Sequence, residues 1–129
     1  MQIFLHYFLH FIFPFFIAFI FFRKDWRKIY LILISTMLID LDHLLADPIF
    51  QADRCSINFH FLHTYYAVGV YIIFLFLRNP FNIIGIGLLF HILTDLIDCL
   101  IMYSNCNTCF HDSPAIKLLQ SISESSIFI

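Results

Sequence analysis

Histidines and aspartates recur at helical spacing inside segments that are otherwise strongly apolar. They fall into four sets: His6 and His10; Asp40, Asp42 and His43; His60 and His63; and His91, Asp95 and Asp98. Side chains three, four or seven residues apart lie on one face of an α-helix, so each set should present its polar groups together, apart from Asp42. Imidazole and carboxylate groups bind zinc, manganese and iron, and a cation held by them activates water for hydrolysis.

The segments that carry these residues have the length and composition of membrane-spanning helices. Hydrophobic residues make up 61% of the 129 residues and charged residues only 12%, whereas soluble domains carry about 25% charged residues. Apolar runs cover residues 3–22, 29–46, about 59–77 and 81–103, and about 20 such residues cross a bilayer. The sequence predicts an all-α integral membrane bundle of four transmembrane helices.

The same pattern predicts the organisation of the chain. Residues 1–103 are expected to form the four-helix transmembrane domain, and residues 104–129 a polar C-terminal tail with a short amphipathic segment. The first run is expected to be a retained helix, because it has no basic n-region and no small-residue cleavage site of a signal peptide. No basic stripe of the kind that binds nucleic acid is present, so nucleic acid is not an expected partner. The apolar segments make membrane lipid the expected partner.

A basic segment orients the predicted bundle. Residues 23–28 (RKDWRK) hold four of the seven lysines and arginines, and basic loops stay on the cytoplasmic side of a membrane. In a bacterial inner membrane this predicts that the N-terminus and the tail lie outside. At a rise of ~1.5 Å per residue, all members of the four sets then fall in the outer half of the bilayer. Polar faces at a common depth predict a cavity that opens outward.

Four cysteines, Cys55, Cys99, Cys106 and Cys109, lie at or beyond the predicted outer ends of the helices. Disulfides persist in such a compartment, but four cysteines allow three pairings and the sequence does not choose between them. The pair Cys106 and Cys109 lacks the second matched pair of a zinc finger. His111, in the tail, is expected to be a surface residue.

Charged groups inside a membrane need partners. Two ionised aspartates near the centre of the second run would raise its insertion free energy by roughly 5–7 kcal/mol. Protonation, water or a bound cation would offset this, and mixed imidazole and carboxylate donors favour a cation, with zinc preferred over manganese or iron. The predicted metal ligands are His10, Asp40, His43, His63, His91 and Asp95, and the predicted catalytic residues are Asp42 and His60. An ion or proton pathway and a structural polar network are the alternatives.

The order of these motifs resembles the YdjM-like group of inner-membrane metal-dependent hydrolases, and in particular a compact four-helix branch of it. Members of that group have an N-terminal histidine, a Pro-Asp-x-Asp-His segment, a His-Arg…Thr-His-Ser segment and a His-x3-Asp helix. The matching stretches here are His6 with His10 and residues 39–43 (IDLDH), 60–64 (HFLHT) and 91–95 (HILTD). Ile39 stands in place of the proline and Phe61 in place of the arginine.

The resemblance covers about residues 6–98 and implies a metal-dependent hydrolase. A site close to the outer lipid interface suits an amphiphilic ester or phosphoester, so a lipid or lipid-like molecule is the expected substrate. The predicted function is therefore a membrane-embedded hydrolase with a His/Asp metal site near the outer face of the membrane.

Overall fold

A computed structural model of the chain describes residues 2–47, 49, 54–106 and 113–126. Within these ranges all regular secondary structure is helical and no strand occurs, which confirms the all-α prediction for this part of the chain. Two helical stretches, Phe4–Phe21 and Phe81–Asn105, are long and apolar enough to cross a membrane. The other two apolar runs fold as shorter helical pieces.

The first helical unit has three parts: helix α1 (Gln2–Tyr7), a π-helical turn (Phe8–Ile12) and helix α2 (Phe13–Phe21). Its irregularity has a cause in the sequence, because Pro14 has no N–H to donate to the carbonyl of His10. The turn widens there, and the N–H of Phe13 bonds to the carbonyl of Phe8 instead. The widened turn carries the His10 side chain, which is 3% exposed, into the interior.

The second run changes helix type half-way. Helix α3 (Trp26–Ser35) continues as a 3-10 helix (Thr36–Leu45). At the junction the hydroxyl of Ser35 donates to the carbonyl of Ile32 at 2.7 Å, and that of Thr36 to the carbonyl of Leu33 at 2.6 Å. Such bonds compete with the α-helical ladder. Since residues three apart eclipse in a 3-10 helix, Thr36, Ile39 and Asp42 form one buried row.

The third run begins its helix later than its composition predicts. Helix α4 (Tyr65–Leu75) starts after Thr64, whose side-chain oxygen accepts the N–H of Ala67 at 3.3 Å. His60 and His63 precede it, in a turn that contains a short 3-10 element (Phe61–His63). The prediction that both histidines lie within a long third helix is therefore wrong. At ~1.5 Å per residue, 11 residues span about 16 Å, roughly half of a ~30 Å hydrocarbon core.

Helix α5 (Phe81–Asn105) is the central element, in contact with α1, the π turn, α3, the 3-10 helix, α4 and α6. Gly85 and Gly87 permit two of these approaches. A Cβ atom on Gly85 would lie 3.0 Å from the carbonyl oxygen of Tyr71, and one on Gly87 would lie 2.6 Å from Oγ1 of Thr36. The glycines therefore seat α5 tightly against both α4 and the 3-10 helix.

Two apolar clusters flank the polar middle of α5. One contains Ala18, Ile29, Leu33 and Ile83. The other contains Cys55, Ile57, Cys99, Ala115 and Leu119. In the second cluster the amphipathic segment of the tail, helix α6 (Ile116–Ser126), packs on the end of α5. His91 and Asp95 lie between the two clusters along α5, so the polar groups form a layer between two apolar ones.

A disulfide joins Cys55 to Cys99, and Cys106 is also disulfide-bonded. The structure thus selects one of the pairings that the sequence left open. Cys109 lies outside the described residues, as does His111. The division of the chain at residue 103 stays a prediction, although α5 itself continues to Asn105.

We expect Gly85→Ala and Gly87→Ala to lower the thermal stability of the purified protein. Overpacking of this kind costs about 1–3 kcal/mol, and the backbone atoms facing Gly85 cannot rotate away. Gly69→Ala is the matched control, because nothing lies within 4 Å of a Cβ built there and alanine favours a helix by about 0.5–1 kcal/mol. Thermal melts in detergent check the order. Equal melting temperatures for all three variants would contradict the close approach.

Candidate metal centre

Four side chains from three different elements converge on one point beside α5. One donor atom from each lies within 4.8 Å of every other, in a set made of Asp40, His63, His91 and Asp95. Asp40 comes from the 3-10 helix, His63 from the turn before α4, and the remaining two from adjacent turns of α5. His63 and His91 are fully buried and Asp95 is nearly so, whereas Asp40 is partly exposed.

The separations between these donors match the size of a tetrahedral cation site. His91 Nε2 lies 3.1 Å from Asp40 Oδ1, 3.3 Å from His63 Nε2 and 3.5 Å from Asp95 Oδ2. His63 Nε2 lies 3.0 Å from Asp95 Oδ2 and 3.7 Å from Asp40 Oδ1. Four ligands held ~2.0–2.1 Å from a zinc ion in tetrahedral geometry are about 3.3–3.4 Å apart. The measured distances lie on both sides of that value.

Hydrogen bonds satisfy this group only in part: His91 Nε2 is in hydrogen-bond contact with Asp40 Oδ1 and His63 Nε2, but one buried oxygen is left over. Asp95 Oδ2 is buried and, among the described residues, has no hydrogen-bond partner. His63 Nε2 is only 3.0 Å away, but the contact does not have hydrogen-bond geometry. A buried polar atom without a partner costs about 1–3 kcal/mol, and more if it is charged. A cation bound by both atoms would remove that cost, so the donor set fits a bound metal.

Asp42 supports the site from behind His63. Its Oδ2 lies 3.1 Å from His63 Nδ1 and accepts the N–H of Leu62 at 2.8 Å. A carboxylate on the far nitrogen of a histidine fixes the ring and its tautomer, and leaves the near nitrogen free for a metal. The hydroxyl of Tyr71 donates to the carbonyl of Leu62 at 2.9 Å, which ties this turn to α4.

The site is accessible from the side of the 3-10 helix. The side chains of Asp40 and His43 are 39% and 37% exposed. His43 Nε2 lies 3.6 Å from Asp40 Oδ1 and 4.0 Å from Asp42 Oδ1. Its ring stacks on that of His60, with 3.9 Å between the centroids. Asp42, His43 and His60 thus form a second potential donor group next to the first.

A third potential donor group lies on the opposite side of Asp95. It consists of His6, His10 and Asp95, with one ligand atom of each within 4.8 Å of the others. His10 Nδ1 donates to the carbonyl of His6 at 3.0 Å, and His10 Nε2 lies 3.8 Å from Asp95 Oδ1. His6 Nδ1 contacts Asp98 Oδ2. Asp95 is the one residue that the first and third groups share.

The structure brings all four sequence sets together, as their spacing predicts. The structure divides these residues into smaller groups than the sequence indicated. His10 lies next to His6 and Asp95, while Asp42 contacts the ring of His63. The individual ligand and catalytic roles stay predictions. Sequence reasoning missed Met37, whose Sδ lies 3.3 Å from His91 Nδ1, and Tyr71. Met37 precedes Asp40 by three residues, so a 3-10 pattern would have placed both on one face.

The comparison with known proteins adds a family. No curated protein and no solved structure matches the chain. The model of one family, described as a family of unknown function (DUF6122), matches residues 1–102. The matched region contains every member of the three donor groups and most of the 129 residues. The chain therefore belongs to the DUF6122 family.

Proposed function

We propose that this protein is a membrane-embedded, metal-dependent hydrolase whose cation is zinc. The observation that carries the proposal is the group Asp40, His63, His91 and Asp95, with its tetrahedral spacing and an unpaired buried oxygen. The order of the motifs, which resembles that of the YdjM-like hydrolases, supports the same chemistry. Mixed imidazole and carboxylate ligands are those of hydrolytic zinc sites.

In this proposal His63, His91 and Asp95 hold the cation from the buried side. Catalytic zinc sites use three protein ligands and keep a fourth position open. Asp40 occupies the fourth side, and because its side chain is 39% exposed it is the ligand that yields to water or substrate. When bound, the cation would supply a nucleophile by lowering the pKa of a bound water toward ~7.

His43 is the group best placed to move a proton. Its Nε2 lies 3.6 Å from Asp40 Oδ1, and its side chain is partly open to the outside. Nε2 itself is buried and, within the described ranges, has no hydrogen-bond partner, so its lone pair would be free to accept a proton from a water molecule beside Asp40. His60, which stacks on His43, orients that ring, and Asp42 orients His63. These assignments give Asp42 and His60 positioning roles in place of the catalytic ones that the sequence predicted.

The proposed membrane placement has four crossings. The first helical unit and α5 each form one crossing by themselves. Helix α3 and the 3-10 helix together have a length of about 35 Å and form a third crossing. The turn of His63 and α4 form the fourth. Strongly exposed apolar side chains such as Phe4, Phe21 and Phe76 suit contact with lipid. The basic residues 23–28 favour a cytoplasmic position for the first loop. The Cys55–Cys99 disulfide favours an oxidising outer compartment for the metal centre.

The proposed substrate is an amphiphilic ester or phosphoester. Apolar side chains next to the partly open Asp40 and His43 are themselves exposed: Leu41, Leu44, Leu45 and Phe61. They would hold the alkyl part of an amphiphile while its polar group reaches the cation. The apolar cluster of Ala18, Ile29, Leu33 and Ile83 closes the other end of the described bundle, which favours a site reached from one side over an ion pathway.

The orientation is tested with single cysteines. We expect Ser125→Cys to react with a membrane-impermeant maleimide in sealed cells, and Asp25→Cys to react only after the membrane is opened. Both positions are exposed, so accessibility to the reagent decides the result. The opposite labelling pattern would contradict the proposed orientation, and labelling of both in sealed cells would contradict the crossings.

Hydrolysis is tested with the protein in mixed micelles of detergent and phospholipid. We expect the wild-type protein to release product from a phospholipid or a fluorogenic long-chain ester, and a chelator or Asp95→Asn to lower the rate at least 100-fold. Phosphorus NMR and mass spectrometry identify the products. Asp25→Asn, which removes an exposed carboxylate between α2 and α3, is the control and should keep the wild-type rate. Wild-type rates no higher than those of Asp95→Asn on every substrate would contradict the hydrolase.

A further inference from the structure

We propose that a second divalent cation binds next to the first, held by His6, His10 and Asp95, and that the Asp95 carboxylate bridges the two ions. This inference rests on the proposed function only for the cation of the first site. It assigns a role to a donor group that the single-metal mechanism leaves unused.

His10 provides the first argument. Its side chain is 3% exposed, and its Nδ1 donates to the carbonyl of His6 at 3.0 Å. Because Nδ1 carries the proton in this bond, Nε2 of the neutral ring keeps its lone pair. Nε2 is buried and has no hydrogen-bond partner in the part of the chain that the structure describes. A neutral buried imidazole with an unused lone pair is the form in which histidine binds metals.

The distance between that nitrogen and Asp95 provides the second argument. His10 Nε2 lies 3.8 Å from Asp95 Oδ1, and both atoms are electron-pair donors that carry no hydrogen. At the ~2.0–2.1 Å of a zinc–ligand bond, an ion between them would see the two atoms about 130–145° apart, so the side chains would need to close on it only slightly. The gap is therefore wide enough for an ion and too wide for a hydrogen bond.

Asp95 is placed to serve both ions. Its Oδ2 lies 3.0 Å from His63 Nε2 and 3.5 Å from His91 Nε2, whereas its Oδ1 faces His10. The two oxygens of one carboxylate thus point into two different donor groups. Two-metal sites hold their ions about 3.5–4 Å apart, a separation that a bridging carboxylate sets. Asp95 is only 5% exposed, so two cations would also neutralise an otherwise costly buried charge.

His6 completes the second site, with Asp98 as its positioning residue. Asp98 lies three residues after Asp95 on α5, and its Oδ2 contacts His6 Nδ1. This is the carboxylate–histidine arrangement that also joins Asp42 to His63 in the first site. The His6 and His10 rings stack with centroids 4.0 Å apart, and one nitrogen of each lies within 4.8 Å of the other and of an Asp95 oxygen.

A pair of cations narrows the substrate class. Two ions can stabilise both the attacking and the leaving oxygen of an in-line displacement, as in phosphatases and nucleases. Two-metal aminopeptidases act on acyl groups, but most of the enzyme classes that use such a pair act on phosphoesters. The inferred pair therefore favours the amphiphilic phosphoester of the two classes proposed above.

The test is the metal content of the detergent-purified chain, which carries an affinity tag without histidine and is exchanged into zinc and then desalted. We expect two zinc ions per wild-type chain and per Asp25→Asn chain, but one per His10→Gln chain. For Asp98→Asn we expect the affinity for the second ion to fall about 10–100-fold while the first ion stays bound. Circular dichroism and gel filtration confirm that each variant is folded.

Spectroscopy provides a second measurement that does not depend on stoichiometry. With manganese in place of zinc, the wild-type protein should give an exchange-coupled electron paramagnetic resonance spectrum, and His10→Gln the spectrum of an isolated ion. One ion in the wild type that His91→Gln removes and His10→Gln does not would overturn the second site and leave the first standing. Two ions that are both insensitive to His10→Gln would also overturn it. No bound ion would overturn both sites.

Discussion

The stability of this small apolar bundle depends on what compensates the carboxylates and imidazoles in its interior. His10, His63, His91 and Asp95 are all nearly inaccessible, and each carries polar atoms that water cannot reach. In such surroundings an isolated charge is strongly destabilising, and lone pairs that face one another repel. Cations between the donors would convert these unfavourable contacts into ligand bonds. The binding of metal would then contribute directly to the stability of the fold.

The backbone departs from the α-helix where it carries this site. His10 lies in a π turn, Asp40 and His43 in a 3-10 helix, and His63 in the turn before α4. His91 and Asp95 on α5 and His6 on α1 are the site residues that regular α-helices carry. The irregular elements direct their side chains to a common point beside α5. Straight helices would have distributed the same side chains along their faces. Pro14, the hydroxyls of Ser35 and Thr36, and the Thr64 cap are the local causes.

Much of the site was predictable because its residues are conspicuous in apolar segments. Spacing was enough to predict that the four sets meet, and the depth of His6, His91 and Asp95 along their helices placed them at one level. The sequence did not predict the changes of helix type, since hydropathy is the same for α, 3-10 and π helices. In an α-helix Asp42 would point away from Asp40, so the sequence predicts no clear partner for it. In the 3-10 helix it contacts His63. Met37 and Tyr71 carry no signal of a metal site in the sequence.

The same limits explain why only two of the four apolar runs form helices long enough to cross a membrane in the described part of the chain. Composition marks residues 29–46 and 59–77 as apolar enough, but capping and hydroxyl–carbonyl bonds divide both runs into shorter elements. The two long helices carry residues on the buried side of the site, whereas the divided runs carry the residues on its exposed side. Gly85 and Gly87 allow α4 and the 3-10 helix to approach α5 closely, which brings His63 and Asp40 together with His91 and Asp95.

The central claim is that histidine and aspartate side chains, and not the cysteines, hold a cation inside the bundle. X-ray absorption at the zinc edge of the wild-type protein measures this directly. The account predicts a nitrogen and oxygen shell at ~2.0–2.1 Å, with the outer-shell scattering of at least two imidazole rings and no sulfur at ~2.3 Å. A sulfur shell, or an oxygen shell without imidazole scattering, would contradict it.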